Sequence, residues 1–231
     1  MSLYDRDYAR SNDLAGQSSA LSLFIKQTYQ LFAASLLAGA AGAYVGIYAL
    51  ARVFLENKLM FWVLFGVELV LLFALMAKKR ETPLNLILLF AFTFCSGLTL
   101  TPLLYSVLSL PAGAVIVAQA LALTSVAFGG LSIFAMNTKR DFTTMGKMLF
   151  IALIVVICAS LLNIFMASPI LQLVISSVAA ILVSFYILYD TQNIIRGNYE
   201  TPVEGAVALY LDFYNLFVSL LQILGLTSNR E

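Results

Sequence analysis

Residues 208–225 read ALYLDFYNLFVSLLQILG, an apolar run that carries Asp212, Asn215, Ser219 and Gln222 at steps of three and four. On a helix those steps stack the four polar side chains along one face. Lipid satisfies none of them, so the stripe has to face other helices or water. This segment is therefore expected at the centre of a helical bundle, with the other helices surrounding it. The run before it offers a matching face in Ser176, Tyr186, Asp190 and Asn193.

Composition places the chain in the same class. Of 231 residues, 61% are hydrophobic and 11% charged, and the mean hydropathy is +0.95; soluble domains hold roughly 45–50% apolar and about 25% charged residues. An all-α integral membrane protein is expected. A spanning helix needs about 20 apolar residues, and seven runs qualify: 24–50, 59–77, 84–106, 112–136, 148–167, 170–195 and 205–226. Breakers such as AKKRETP, NTKRDFTTMGK and RGNYETPVEG separate them, and the RVFLENK stretch after the first run reads the same way. Pro83, Pro111 and Pro169 fall at helix starts, where a missing N–H costs nothing, and Pro102 kinks the third run. The short linkers predict one bundle over 23–227, with a polar tail at 1–22 and a short one at 228–231. The tail lacks the apolar core of a secretory signal, so the first helix is expected to be retained. Gly42 and Gly46, at GxxxG spacing in GAAGAYVG, predict close helix packing.

Lysine and arginine orient the bundle. Arg6, Arg10, Lys26, Lys78, Lys79, Arg80, Lys139, Arg140, Lys147 and Arg196 would share one side, against Arg52, Lys58 and Arg230 on the other. The positive-inside rule then places the N-terminus in the cytoplasm. An odd number of spans leaves the C-terminus outside; six spans with a dipping last segment is the alternative topology.

Several chemistries are excluded. A net charge of +1 gives nucleic acid nothing to hold. The chain has no histidine, and its two cysteines, Cys95 and Cys158, lie within apolar runs. Zinc sites built on His and Cys, serine–histidine catalysis and a disulfide framework all fall away.

The acids inside the membrane carry the functional argument. Each costs about 2.5–3.5 kcal/mol at a helix centre. Counted from the loop near Tyr199, Asp190 and Asp212 lie about 7 and 10 Å below the same face at 1.5 Å per residue. Antiparallel neighbours would hold the two carboxyls at nearly matching depth. Asp190 also sits near a helix C-terminus, where the macrodipole disfavours an anion, so it needs a partner, a proton or a bound cation. Two carboxyls in contact do not both stay ionised cheaply, which makes the pair a proton sensor and a latent site for a hard cation such as Ca²⁺, with Asn193 and Asn215 as further oxygen donors. Glu68, in FGVELVLLF, is a third intramembrane acid with no partner legible from the sequence. Lys79 lies near the same face and would either reach the pair as a gate or snorkel to headgroups.

SFYILYDTQNII (184–195) followed by ALYLDFYNLFVSLLQILG resembles the signature of the transmembrane Bax inhibitor motif family, in its bacterial branch. FAFTFCSGLTLTPL (90–103) and the KRDF loop (139–142) are similar to further stretches of that family. The resemblance implies seven helices with the last surrounded by six. It implies a pH-dependent calcium leak governed by a hydrogen-bonded aspartate pair, carried over to Asp190 and Asp212, with the second helix moving. Some members engage a basic residue at the end of helix two; this chain has Lys79 where an arginine would be expected, and lysine is a point charge without a bidentate fork. Bacterial relatives also imply modulation of a membrane protease, a partner function, and the branch implies a bacterial inner membrane.

Three function classes follow: a passive, pH-gated calcium (cation) leak; a regulatory membrane protein that binds a membrane-protein partner through its loops or tail; and, remotely, an intramembrane aspartyl protease, whose second acid normally follows Gly-x-Gly rather than ALYL. No cofactor is expected beyond Ca²⁺ as the transported ion.

Overall fold

The computed structural model describes residues 3–228. The C-terminal residues 229–231, with Arg230, lie outside the described residues, and Arg6, Arg10 and Lys58 lie outside those whose side chains are described. The elements are α1 (Leu3–Val45), a π-helical turn (Gly46–Leu50), α2 (Ala51–Glu56), α3 (Lys58–Ala77), α4 (Leu84–Thr99), α5 (Thr101–Leu108), α6 (Gly113–Asn137), a 3₁₀ turn (Thr143–Met145), α7 (Gly146–Met166), α8 (Pro169–Ile195) and α9 (Pro202–Ser228). Seven stretches are long and apolar enough to cross a membrane. Span one joins α1, the π turn and α2; span three joins α4 and α5; α3, α6, α7, α8 and α9 are spans two, four, five, six and seven.

Local chemistry sets the ends. Asn57 caps α3 by accepting from the Leu59 N–H at 3.0 Å, and Ser168 caps α8 by accepting from Leu171 N–H at 3.3 Å, with Pro169 in the first turn. Pro102 has no N–H for the carbonyl four residues back, and span three breaks at Leu100. Two boundaries depart from expectation. The polar segment expected as a tail is helical from Leu3 and continuous with span one, since its mixed polar residues are compatible with helix once a neighbouring turn has nucleated it. RVFLENK, read as a breaker, is helical to Glu56 and interrupted only at Asn57, because it contains neither Gly nor Pro.

Lipid-facing surface is plain on α3 and α7, where Phe73 and Phe165 are exposed among other large apolar side chains. Such surface would be a liability in water and is the ordinary exterior of a membrane bundle. Span three is the most buried of the seven, and span seven follows. The two share the interior: α9 packs on α8, α1 and α6, and more briefly on α4 and α5, while α3 packs chiefly on α4 and α7 on α8. The contacts of α9 with spans one, three, four and six are those of a helix inside the bundle. Span three packs through a small-residue face, with Thr93, Ser96, Gly97 and Thr99 all buried. Against it lies α1, so closely that a Cβ on Gly42 would overlap the Phe94 carbonyl and one on Gly97 the Gly39 carbonyl. At Gly46 the obstacle is the Thr101 hydroxyl.

Candidate functional site

The last turns of α8 are polar and buried: Asp190, Thr191, Gln192 and Asn193 are all withdrawn from the surface. Asp212 on α9 is 5% exposed and Asp190 6%, and the two carboxyls lie close enough to interact side chain to side chain. Two carboxyls in such contact accept only, unless one of them carries a hydrogen. The Tyr199 hydroxyl donates to Asp190 Oδ1 at 2.6 Å, whereas Asp212 Oδ2 receives nothing from the described residues. Burial and the neighbouring Asp190 push the Tyr199 phenol above its ordinary value, which keeps it a donor.

Beside the pair opens a cavity of about 890 Å³ between α3, α7, α8 and α9. Asn215, Ser219 and Gln222 line it, continuing the polar stripe away from Asp212. Ser219 Oγ donates to its own helix, at the Asn215 carbonyl, at 2.7 Å. At the far end, Gln172 Nε2 and Ser176 Oγ donate to Gln222 Oε1 at 2.9 and 2.6 Å, and Asn163 donates to Gln172 at 2.8 Å. From Gln172 to Asp190 is eighteen residues of α8, about 27 Å at 1.5 Å per residue. That is close to the thickness of the hydrocarbon core, about 30 Å.

Other sequence-named residues go elsewhere. Lys79 does not reach the aspartates. Its ammonium pairs with Glu204 at 2.7 Å and Glu200 at 3.1 Å, and Glu204 foremost holds it above its ordinary 10.5. The cause is the start of α9, which brings Glu204 nearer than either aspartate. Glu200 is held below its ordinary value by Lys79 and then Arg80; Arg80 forks onto it at 2.9 and 3.1 Å. Asn193 is turned from the pair, donating to the Tyr189 carbonyl and accepting from Asn198 at 2.9 Å. Glu68 has a partner after all: Thr99 Oγ1 donates to it at 2.7 Å. Beyond Thr99, the Ser96 carbonyl accepts from Tyr214 at 3.0 Å and the Ser96 and Tyr210 hydroxyls are hydrogen-bonded.

Sequence reasoning passed over Tyr199, Gln172 and Gln192. Gln192 fastens the KRDF loop: its Oε1 accepts from Phe142 N–H at 2.7 Å and its Nε2 donates to the Arg140 carbonyl at 2.8 Å, while Arg196 pairs with Asp141 at 2.9 Å. Both glutamines sit in apolar runs, and a buried amide always needs partners, so that signal was available. A loop tyrosine gives none. Among the described residues no group of three or more His, Cys, Asp or Glu could hold a metal; two carboxyls and Asn215 fall short of the six to eight oxygens a resident Ca²⁺ takes.

The model of the family described as "Inhibitor of apoptosis-promoting Bax1" matches residues 21–229. An uncharacterized protein of Campylobacter jejuni is 72% identical over the full length of both chains. The Escherichia coli protein named modulator of FtsH protease YccA is 40% identical over 151 residues, 65% of this chain and 68% of that one. A Vaccinia virus protein named Golgi anti-apoptotic protein is 32% identical, over 97% of this chain and 94% of its own. With a buried aspartate pair on two apolar spans and a family match over nearly its whole length, this chain belongs to the Bax inhibitor family of integral membrane proteins.

Proposed function

We propose that this protein is a passive, pH-sensitive calcium (cation) leak channel whose gate is the Asp190–Asp212 pair. The observation that carries the reading is the meeting of the two carboxyls at one end of a cavity that runs most of the depth of the bundle. Gain or loss of the shared hydrogen changes the charge of the pair and its bond to Tyr199. Two bare charges repel or take up a cation, while a shared hydrogen holds them together. Ca²⁺ enters as cargo, passing the carboxylates and Asn215 without a full resident shell. The membrane is a bacterial inner membrane with the N-terminus cytoplasmic. Support comes from the lysine and arginine count and from a second Escherichia coli relative, named an inner membrane protein, that is 40% identical over 151 residues.

The test is Ca²⁺ flux into proteoliposomes between about pH 6 and 8. Wild-type flux is expected to change across that range and to lose its pH dependence in Asp190→Asn and Asp212→Asn. Flux that titrates unchanged in both variants rejects the gate. Cleavage of a transmembrane reporter, lost in either variant, would replace it with an aspartyl protease.

A second reading, compatible with the first, is regulation of a membrane protease, favoured by the relative named a modulator of FtsH protease. Co-purification with the host's membrane protease is expected to fall when residues 1–20 are deleted and to persist in the aspartate variants. The reverse pattern removes this reading.

A further inference from the structure

Tyr199 is the one residue lining the large cavity that no helix carries, among those described. It enters from the loop between α8 and α9, at the end where Asp190 and Asp212 meet, and its hydroxyl is bonded to Asp190. Both of its neighbours are pinned. Asn198 donates to the Asn193 carbonyl through its N–H and to Asn193 Oδ1 through its side chain, each at 2.9 Å. Glu200 is held by Lys79 and Arg80 from just beyond α3, and its N–H donates to Glu204 at 3.0 Å. One anchor ties the loop to α8 and the other to α3. Around the pair, α8 contributes Tyr186 and Tyr189 and α9 contributes Asn215, whereas α3 offers the cavity Phe61, Trp62 and Phe65, and α7 offers apolar side chains and Ser160. Besides the two aspartates, no Lys, Arg, Asp or Glu among the described residues lines it.

We infer that Tyr199 is the plug of this cavity at the basic-loop face, locked by its phenol on Asp190, and that the Glu200 ion pairs with Lys79 and Arg80 couple the plug to α3. The ring is carried on a loop, half-buried against the main core and fastened at its tip by one hydrogen bond, so withdrawing it costs that packing and the bond but breaks no helix. The exposed Glu200–Arg80 pair is the weaker anchor, since such pairs contribute little and are screened by salt. Loss of that anchor frees Glu200, and the tyrosine next to it, to leave the aspartates. This deepens the leak reading and depends on it for its physiological meaning.

The test reads access alone. In a background with Cys95 and Cys158 replaced by alanine, Asn215→Cys is placed in the cavity beyond Asp212. Membrane vesicles of either orientation are treated with a charged, impermeant methanethiosulfonate. From the basic-loop face, labelling is expected to be slow with Tyr199 in place. It should quicken roughly 10- to 100-fold in Tyr199→Phe, the weight of one hydrogen bond to a charged acceptor. It should be at least as fast in Tyr199→Ala and intermediate in Glu200→Gln. Equal rates with tyrosine and with phenylalanine or alanine overturn the plug, and the phenylalanine variant decides if the alanine variant does not fold. Rates that rise equally from both faces indicate general loosening and also overturn it. Faster labelling with unchanged Ca²⁺ flux keeps the plug and removes the leak.

Discussion

Asp141, Glu200 and Lys79 hold their charges through neutrality and so stand outside any titration between about pH 6 and 8. Arg196, then Thr143, bring Asp141 from 3.8 to about 2. A folded value below the ordinary one means the Asp141–Arg196 tie is fully present above 3.8 and lost as pH falls through about 2. Glu200, lowered likewise, loses its tie only on the acid side of 4.5, while Lys79, raised, keeps its own below 10.5 and loses it as pH climbs through the folded value. Asp141→Asn is therefore expected to leave the shape of the flux profile between about pH 6 and 8 unchanged, while Asp190→Asn flattens it; a flattened profile in Asp141→Asn would move the sensor into the loops. A second residue-scale prediction concerns Ala167, held at φ 47° between α7 and α8. Glycine has no Cβ to strain there, so Ala167→Gly should stabilise by about 1 kcal/mol, read as a higher thermal midpoint in detergent. At this scale the sequence exposed Asp190 and Asp212, because a carboxyl in an apolar run is conspicuous in any register. It was silent on Tyr199, whose importance comes from a loop turning back over the helix ends.

Helices α1 and α4 touch through their backbones at Gly39, Gly42 and Gly97. Gly42→Ala must push the Phe94 carbonyl and with it the whole of α4, at a cost of about 1–3 kcal/mol. Gly66→Ala, on α3, meets nothing within 4 Å and should be neutral or stabilising by up to about 1 kcal/mol, since glycine weakens a helix interior. Thermal unfolding of the two variants side by side checks the seam; equal midpoints would deny it. The GxxxG spacing revealed Gly42 and Gly46, and the helix break at Pro102 was equally legible, because both follow from local backbone sterics. Gly39 and Gly97 were not, since their need for a missing Cβ arises only where α4 crosses α1. The continuous helix from Leu3 was missed for a related reason: hydropathy marks where lipid begins, and a helix does not have to end there.

The whole molecule presents the loops 78–83, 138–145 and 196–201 at one face, tied together by Glu200 with Lys79 and Arg80 and by Arg196 with Asp141. Cysteines introduced at Thr82 and Lys139 should label from one side of the membrane and one at Ser168 from the other; labelling of all three from the same side would break the seven-span topology. That topology was written in the sequence, because spanning lipid is a demand each segment meets alone, by apolar length and by charge at its ends. Partnership was decided only by tertiary structure: Lys79 with Glu204, Glu68 with Thr99, Asn193 with Asn198, Tyr199 on Asp190, and a core shared between span three and span seven. Which polar groups meet depends on the rotation of each helix about its axis and the path of each loop, and those are settled by packing among segments far apart in the chain.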